Sequence, residues 1–265
     1  MLQEINYRSL GKRKILVAED TSVNQFLVRR IIEGWGLEVD IANNGQEALS
    51  MVQEGEYDLV LMDIQMPIMD GIEATRHIRQ LPQSIKATIP IVALTANFLK
   101  GDRERYRAAG MNDFLPKPFN ESALFVVVSN NLQQQGVPIK PKVPILEERP
   151  ATNDQLYDLS SLRGMSGGDE GFVNKLVQLY ITLSSESLLL MKEELRLERY
   201  EEVSKLAHKM KAPAGTMRIS SIKHIICSIV DLPLQDAPAK MPELVERLDT
   251  AMQKCLDKLR MEFPD

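Results

Sequence analysis

The stretch at residues 59–71, LVLMDIQMPIMDG, constrains the fold of this chain more than any other. Leu59, Val60, Leu61 and Met62 form an unbroken apolar run, the pattern of a strand covered on both faces in a parallel sheet. The run stops at an acid, Asp63. Met66-Pro67 cannot extend the ladder, because proline has no N–H to give it. Asp70-Gly71 then turns the chain into a helix. An acid at the carboxyl end of a buried parallel strand sits where open α/β sheets bind their ligands.

The rest of residues 14–135 repeats this alternation. Strands are predicted at 14–18 (a short apolar run), 38–42, 90–94 (ending on Thr95) and 113–115, and helices at 22–35, 45–54, 72–80, 100–109 and 120–135. Five strands alternating with five helices predict a doubly wound, five-stranded parallel sheet of the flavodoxin-like α/β class. In the first helix, with Ser22 as its cap, Asn24, Val28, Ile31, Ile32 and Trp35 share one face. Val23, Phe26 and Arg30 fall opposite, so Val23 and Phe26 are expected to form an exposed docking surface for a helical partner.

Residues 136–153 change character. Pro138, Pro141, Pro144 and Pro150 interrupt any helical period, which predicts an extended, semi-rigid linker. Beyond it, helices at 169–198, 200–217, 220–232 and 242–261 predict a four-helix bundle over 154–262. The length of 265 residues suits two domains. A net charge of −5 gives no general reason to bind nucleic acid. No apolar run approaches the roughly 20 residues that span a bilayer, and the polar start has no signal core. Cys227 and Cys255 fit a reducing compartment. The expectation is a cytoplasmic segment without membrane contact.

Glu19 and Asp20 follow the first strand and Asp63 ends the third. These strands are neighbours in a doubly wound sheet, so the acids converge, and three close carboxylates repel unless a cation joins them. Hard oxygen ligands with room for water favour Mg²⁺. Thr95 lies on the same rim, and Lys117, after the fifth strand, can reach in. An acid, a divalent cation, a hydroxyl and an ammonium together suit phosphoryl transfer. In their order these residues resemble a response-regulator receiver domain over 14–135. Glu19-Asp20 is similar to its acidic pair, and 63–71 to its phosphoacceptor loop. Leu94-Thr95-Ala96 matches its switch hydroxyl, and Lys117-Pro118-Phe119 its lysine followed by a cis-proline. The resemblance implies that Asp63 is the phosphoacceptor, forming an acyl phosphate. It implies Mg²⁺ held by Glu19, Asp20, Asp63 and the backbone carbonyl of Gln65, with catalytic parts for Thr95 and Lys117. Phe114 holds the aromatic switch position. It has no hydroxyl, so switching between Thr95 and Phe114 is expected to work by ring packing alone.

Of three histidines, His77 and His224 are expected to be solvated. His208 lies opposite the apolar stripe of Val203, Leu206, Ala207, Met210, Ala214 and Met217, and shares its face with Lys205, Lys211, Ala212 and Gly215. An exposed imidazole is a usable nucleophile near neutrality, although taken alone an exposed helix histidine is usually an ordinary solvated side chain. Residues 154–262 resemble a histidine phosphotransfer domain, and Leu206-Ala207-His208-Lys209-Met210-Lys211 is similar to its signature. The resemblance implies a second phosphoacceptor at His208, with Lys205, Lys211 and Gly215 as the phosphohistidine environment. Two positions depart from the pattern. Ala212 stands where the family usually has glycine. Pro213 removes the bond to the Lys209 carbonyl and is expected to kink or end the helix.

The combined expectation is a two-component phosphorelay protein, rather than a turnover enzyme, similar to the C-terminal end of a hybrid sensor histidine kinase. Its partners would be a histidine kinase or phosphotransfer protein and a downstream receiver domain. The alternative is a phosphorylation-controlled binding switch in which the bundle is a docking module and His208 is inert.

Overall fold

The computed structural model describes residues 10–95, 102–117, 119–133, 156–166 and 168–264. The chain divides into two compact units, Met1–Glu147 and Glu148–Asp265. The linker expected at 136–153 lies outside the described residues, as do Ala96 and Pro118.

In the first unit the strands are β1 (Lys14–Ala18), β2 (Glu38–Ala42), β3 (Leu59–Asp63), β4 (Ile91–Thr95) and β5 (Asp113–Pro116). All pair in parallel, in the order β2-β1-β3-β4-β5. Every residue of β3 and β4 is buried, as their continuous apolar runs require. The helices are α1 (Ser22–Gly34), α2 (Gly45–Glu54), α3 (Gly71–Arg79), a short α4 (Ser84–Ala87) that the sequence reading did not foresee, α5 (Asp102–Ala109) and α6 (Glu121–Gln133). Local chemistry sets their starts. Asn44 accepts from the Glu47 N–H, and Asp70 from the Glu73 N–H, each satisfying an orphan donor of its helix. Thr21, not Ser22, precedes α1, and its hydroxyl bonds Asp20 instead of capping.

The face assignment on α1 needs correction. Val23 is buried, and so is Leu27. Val23, Leu27 and Ile31 make one i, i+4 ridge beside the ridge of Asn24, Val28 and Ile32, so the sheet covers a wider stripe than the helical projection allowed. Phe26 is half-buried, and the proposed Val23/Phe26 docking surface is not presented as such.

The second unit is all-helical: α7 (Ser160–Met165), α8 (Glu170–Arg196), α9 (Tyr200–Thr216), α10 (Ser220–Val230) and α11 (Ala237–Glu262). Asp169 caps α8 by accepting from the Phe172 N–H. Helix α8 packs on α9, α9 on α10, α10 on α11, and α11 returns to α8, closing a four-helix bundle. Its core includes Leu176, Tyr180, Ala207, Met210, Ile226 and Met252. Helix α9 does not end at Pro213 but continues to Thr216, and α11 begins at Ala237, earlier than the expected start at 242, with Pro238 in a first turn where a missing N–H costs nothing. Among the described residues no helix is long and apolar enough to cross a membrane.

Candidate functional site

The strand order changes direction between β1 and β3, so the loops leaving their carboxyl ends part and open a crevice. Ala18 pairs in register with Met62 and Asp63 with Leu94, which carries Glu19, Asp63 and Thr95 to one rim. The loop after Asp63 is closely held. Its Gly71 N–H donates to the Ile64 carbonyl at 3.0 Å, and a Cβ at Gly71 would lie 2.0 Å from the Asp63 carbonyl oxygen. Only glycine permits that approach.

At the rim, one ligand oxygen from each of Glu19, Asp20 and Asp63 lies within 4.8 Å of the others. Glu19 and Asp63 are buried and Asp20 is half-buried. Lys117 bridges two of the acids, its Nζ donating to Glu19 Oε2 at 2.5 Å and to Asp63 Oδ2 at 2.7 Å. Asn24 Nδ2 and the Thr21 N–H donate to Glu19 Oε1, and the Gln65 N–H donates to Asp63 Oδ1 at 3.3 Å. Burial raises the Glu19 pKa, the Asp63 charge adds to that, and Lys117 and Asn24 work against it. For Lys117 burial favours the neutral amine, but the two carboxylates outweigh it and hold the ammonium above the ordinary lysine value. Three carboxylates and one ammonium leave an excess of negative charge at a hard oxygen set, which fits a divalent cation of the Mg²⁺ type.

Thr95 is buried at the end of β4, and its carbonyl accepts from the Lys117 N–H at 2.7 Å. Phe114 is half-buried, with the Arg103 guanidinium 5.9 Å from its ring centroid. Sequence reasoning missed Tyr106, whose hydroxyl is 3.1 Å from Thr95 Oγ1. The signal was a single aromatic among the charges of DRERYRAA, a residue that has to face the sheet if the helix is to attach at all. It also missed Asn24 and Gln25, which hold Glu19 through its carboxylate and its carbonyl respectively.

In the bundle, His208 is half-buried on α9, and His77 and His224 are exposed as expected. Lys205 is exposed and donates to Glu202. Lys211 and Gly215 are buried, so the open face expected around His208 is narrower than the helical projection gave.

Residues 15–129 match the response regulator receiver domain family. The chain is 27% identical over 238 residues to the signal transduction histidine-protein kinase BarA of Escherichia coli, which is 89% of this chain and 26% of that kinase. It is 30% identical over 220 residues to the aerobic respiration control sensor protein ArcB of E. coli, 80% of this chain and 27% of that protein. Hybrid signal transduction histidine kinase I of Dictyostelium discoideum is 38% identical over 134 residues, 49% of this chain and 8% of that kinase. Among solved structures, the receiver domain of sensor histidine kinase PA1611 from Pseudomonas aeruginosa, crystallised with a magnesium ion in its active site cleft, is 38% identical over 46% of this chain and 98% of that one, with a TM-score of 0.43. The chain therefore carries a response regulator receiver domain fused to an α-helical C-terminal region. Its matches are to hybrid sensor histidine kinases, of whose length it spans about a quarter or less.

Proposed function

We propose that this chain is a two-module phosphorelay segment of the two-component type. A receiver over 14–135 is joined by a proline-rich linker over 136–153 to a histidine phosphotransfer bundle over 154–262. The observation that carries this reading is the convergence of Glu19, Asp20 and Asp63 on one rim, with Lys117 bridging two of them.

Asp63 is the nucleophile and phosphoacceptor. One of its carboxylate oxygens bonds to phosphorus as the P–N bond of a donor phosphohistidine breaks, and the departing imidazole nitrogen takes a proton from solvent. Glu19, Asp20, Asp63 and the Gln65 carbonyl are the residues that hold Mg²⁺. Bound there, the ion offsets charge on the phosphoryl oxygens. Lys117 supplies a second positive charge from the protein itself, and Thr95 donates to the phosphoryl group. His208 is the second phosphoacceptor, in an environment of Lys205, Lys211 and Gly215. Partners are a histidine kinase or phosphotransfer protein and a downstream receiver domain, and the segment works in the cytoplasm.

The test is transfer of label from a small phosphodonor with Mg²⁺. We expect acyl phosphate on Asp63, absent in Asp63→Asn, and then an acid-labile, base-stable label on the bundle that is absent in His208→Gln. Label that never leaves Asp63 favours the second reading, a binding switch with an inert His208, which the burial of Lys211 supports.

A further inference from the structure

Phe114 offers no hydroxyl to Thr95, yet Thr95 has an aromatic hydroxyl partner. Tyr106 reaches Thr95 from α5, and both side chains are buried, at 4% and 3% exposure. Thr95 is otherwise fixed: its backbone is paired to β5 and its carbonyl accepts from Lys117, so its side-chain rotor is the adjustable part. A hydroxyl that accepts from a neighbour keeps its own proton to donate. Resting on the reading of Asp63 as phosphoacceptor, we propose that Tyr106 is a positioning residue, donating to Thr95 Oγ1 so that the Thr95 hydroxyl is aimed at a phosphoryl group on Asp63.

A bland alternative is that Tyr106 only anchors its helix, because Tyr106 and Ala109 are the buried residues of α5. The two differ in which part of the side chain matters. The ring anchors, whereas the hydroxyl positions. Burial raises the Tyr106 pKa and the hydrogen bond with Thr95 works against it, and a phenol with or without that shift carries its proton at neutral pH and can donate. Tyr106 also lines a surface depression with Arg103, Arg107, Met111 and Phe114.

The experiment uses the full chain with Mg²⁺ and acetyl phosphate, in which an Asp63 oxygen bonds to phosphorus and acetate leaves with the electrons of the broken P–O bond. Rates of Asp63 labelling are measured for the unmodified chain, Tyr106→Phe, Thr95→Ala and the double variant. Tyr106→Phe keeps the ring, and the expected loss is about 3- to 10-fold, the range of one hydrogen bond. In the Thr95→Ala background the same change has no further effect. Equal rates for Tyr106→Phe and the unmodified chain, or losses that simply multiply in the double variant, overturn the proposal. Should Tyr106→Phe fold poorly, tyrosine ζ-carbon resonances of the unmodified chain are followed on phosphorylation, with Tyr106 identified by its shift in Thr95→Ala; an unmoved signal also overturns it. No label on Asp63 of the unmodified chain overturns the phosphoacceptor reading and this one together. Label on Asp63 that is indifferent to Tyr106→Phe overturns this one alone.

Discussion

Replacing Lys117 with methionine keeps the length of the side chain and removes the one charge that separates Glu19 from Asp63. Lys117 and Glu19 have 8% and 1% of their side chains exposed, and Asp63 has 11%. Water therefore does little to screen the two carboxylates left behind. Breaking a buried ion pair by deleting one partner costs about 3–5 kcal/mol, because a charge is stranded. Two pairs are broken here, but they share one ammonium and their costs do not add. Glu19 also has an escape. Its pKa is already raised by burial and by Asp63, so without Lys117 it takes up a proton. The sign follows from linkage. A folded-state pKa above the unfolded one contributes stability that is present at low pH and lost as pH rises through the folded value. The deficit of Lys117→Met should therefore be smaller in acid and grow as pH rises. With a urea slope of about 2 kcal/mol/M, the midpoint falls by roughly 1.5–2.5 M.

Trp35 is the chain's single tryptophan, buried in the receiver with its ring edge-on to Phe125 at 5.2 Å, so its fluorescence reports this domain and not the bundle. Mg²⁺ supplies the second arm. A ligand at a hundred times its dissociation constant adds about 2.7 kcal/mol. The variant, lacking the competing ammonium, should bind the ion more tightly than the unmodified chain and recover much of its loss. Equal midpoints in a chelator at pH 8, or a deficit that Mg²⁺ leaves untouched, would refute the charge argument.

Two further outcomes test the rim and the sheet edge. Gly71→Ala drives a methyl group into the Asp63 carbonyl, and we expect a loss of about 1–3 kcal/mol or more, with slower labelling of Asp63. Gly34→Ala in α1 meets nothing within 4 Å and should instead gain up to about 1 kcal/mol; urea melts followed at Trp35 decide both. Asp40 accepts from Lys14 and from the Tyr57 hydroxyl, each at 2.8 Å, and these bonds hold its pKa below the ordinary aspartate range. A lowered carboxyl pKa contributes stability above the ordinary value and loses it as pH falls through the lowered one. With the Asp40 side chain 37% exposed, Asp40→Asn should cost under about 1 kcal/mol at neutral pH, and the two melting curves should converge as pH falls through the lowered Asp40 pKa.

The inner strands were legible because a buried parallel strand writes itself as an apolar run: β1 and β3 begin and end where KILVA and LVLMD do, whereas the edge strand β2, EVDIA, keeps its expected bounds with only Val39 and Ala42 buried. The rim acids were legible for a related reason. A charged residue directly after such a run has no place but the end of the sheet. What escaped was whatever depends on a second element. Tyr106 lies in a helix almost without apolar residues, and its partner Thr95 belongs to β4. Helical spacing gives the side of α5 on which Tyr106 stands, but not which hydroxyl waits across the gap. Val23 was misplaced because one projection has to choose a stripe, while a helix laid on a sheet buries two adjacent ridges.

The bundle makes the same point in another form. Projection around α9 correctly separates Val203, Ala207, Met210, Ala214 and Met217 as core, because those side chains point at the common axis. It fails for Lys211, because α9 has α8 on one flank and α10 on the other, and α11 touches it too. A helix flanked on both sides buries residues well away from its main apolar stripe, and a long amphipathic lysine stem tolerates that better than most side chains. The nucleophile proposed at His208 thus sits on a strip bounded by a buried lysine one turn on and a buried glycine two turns on, not on an open face. That places more weight on the histidine's local surroundings than its signature alone implied, and makes the fate of label in His208→Gln the discriminating measurement for this half of the chain.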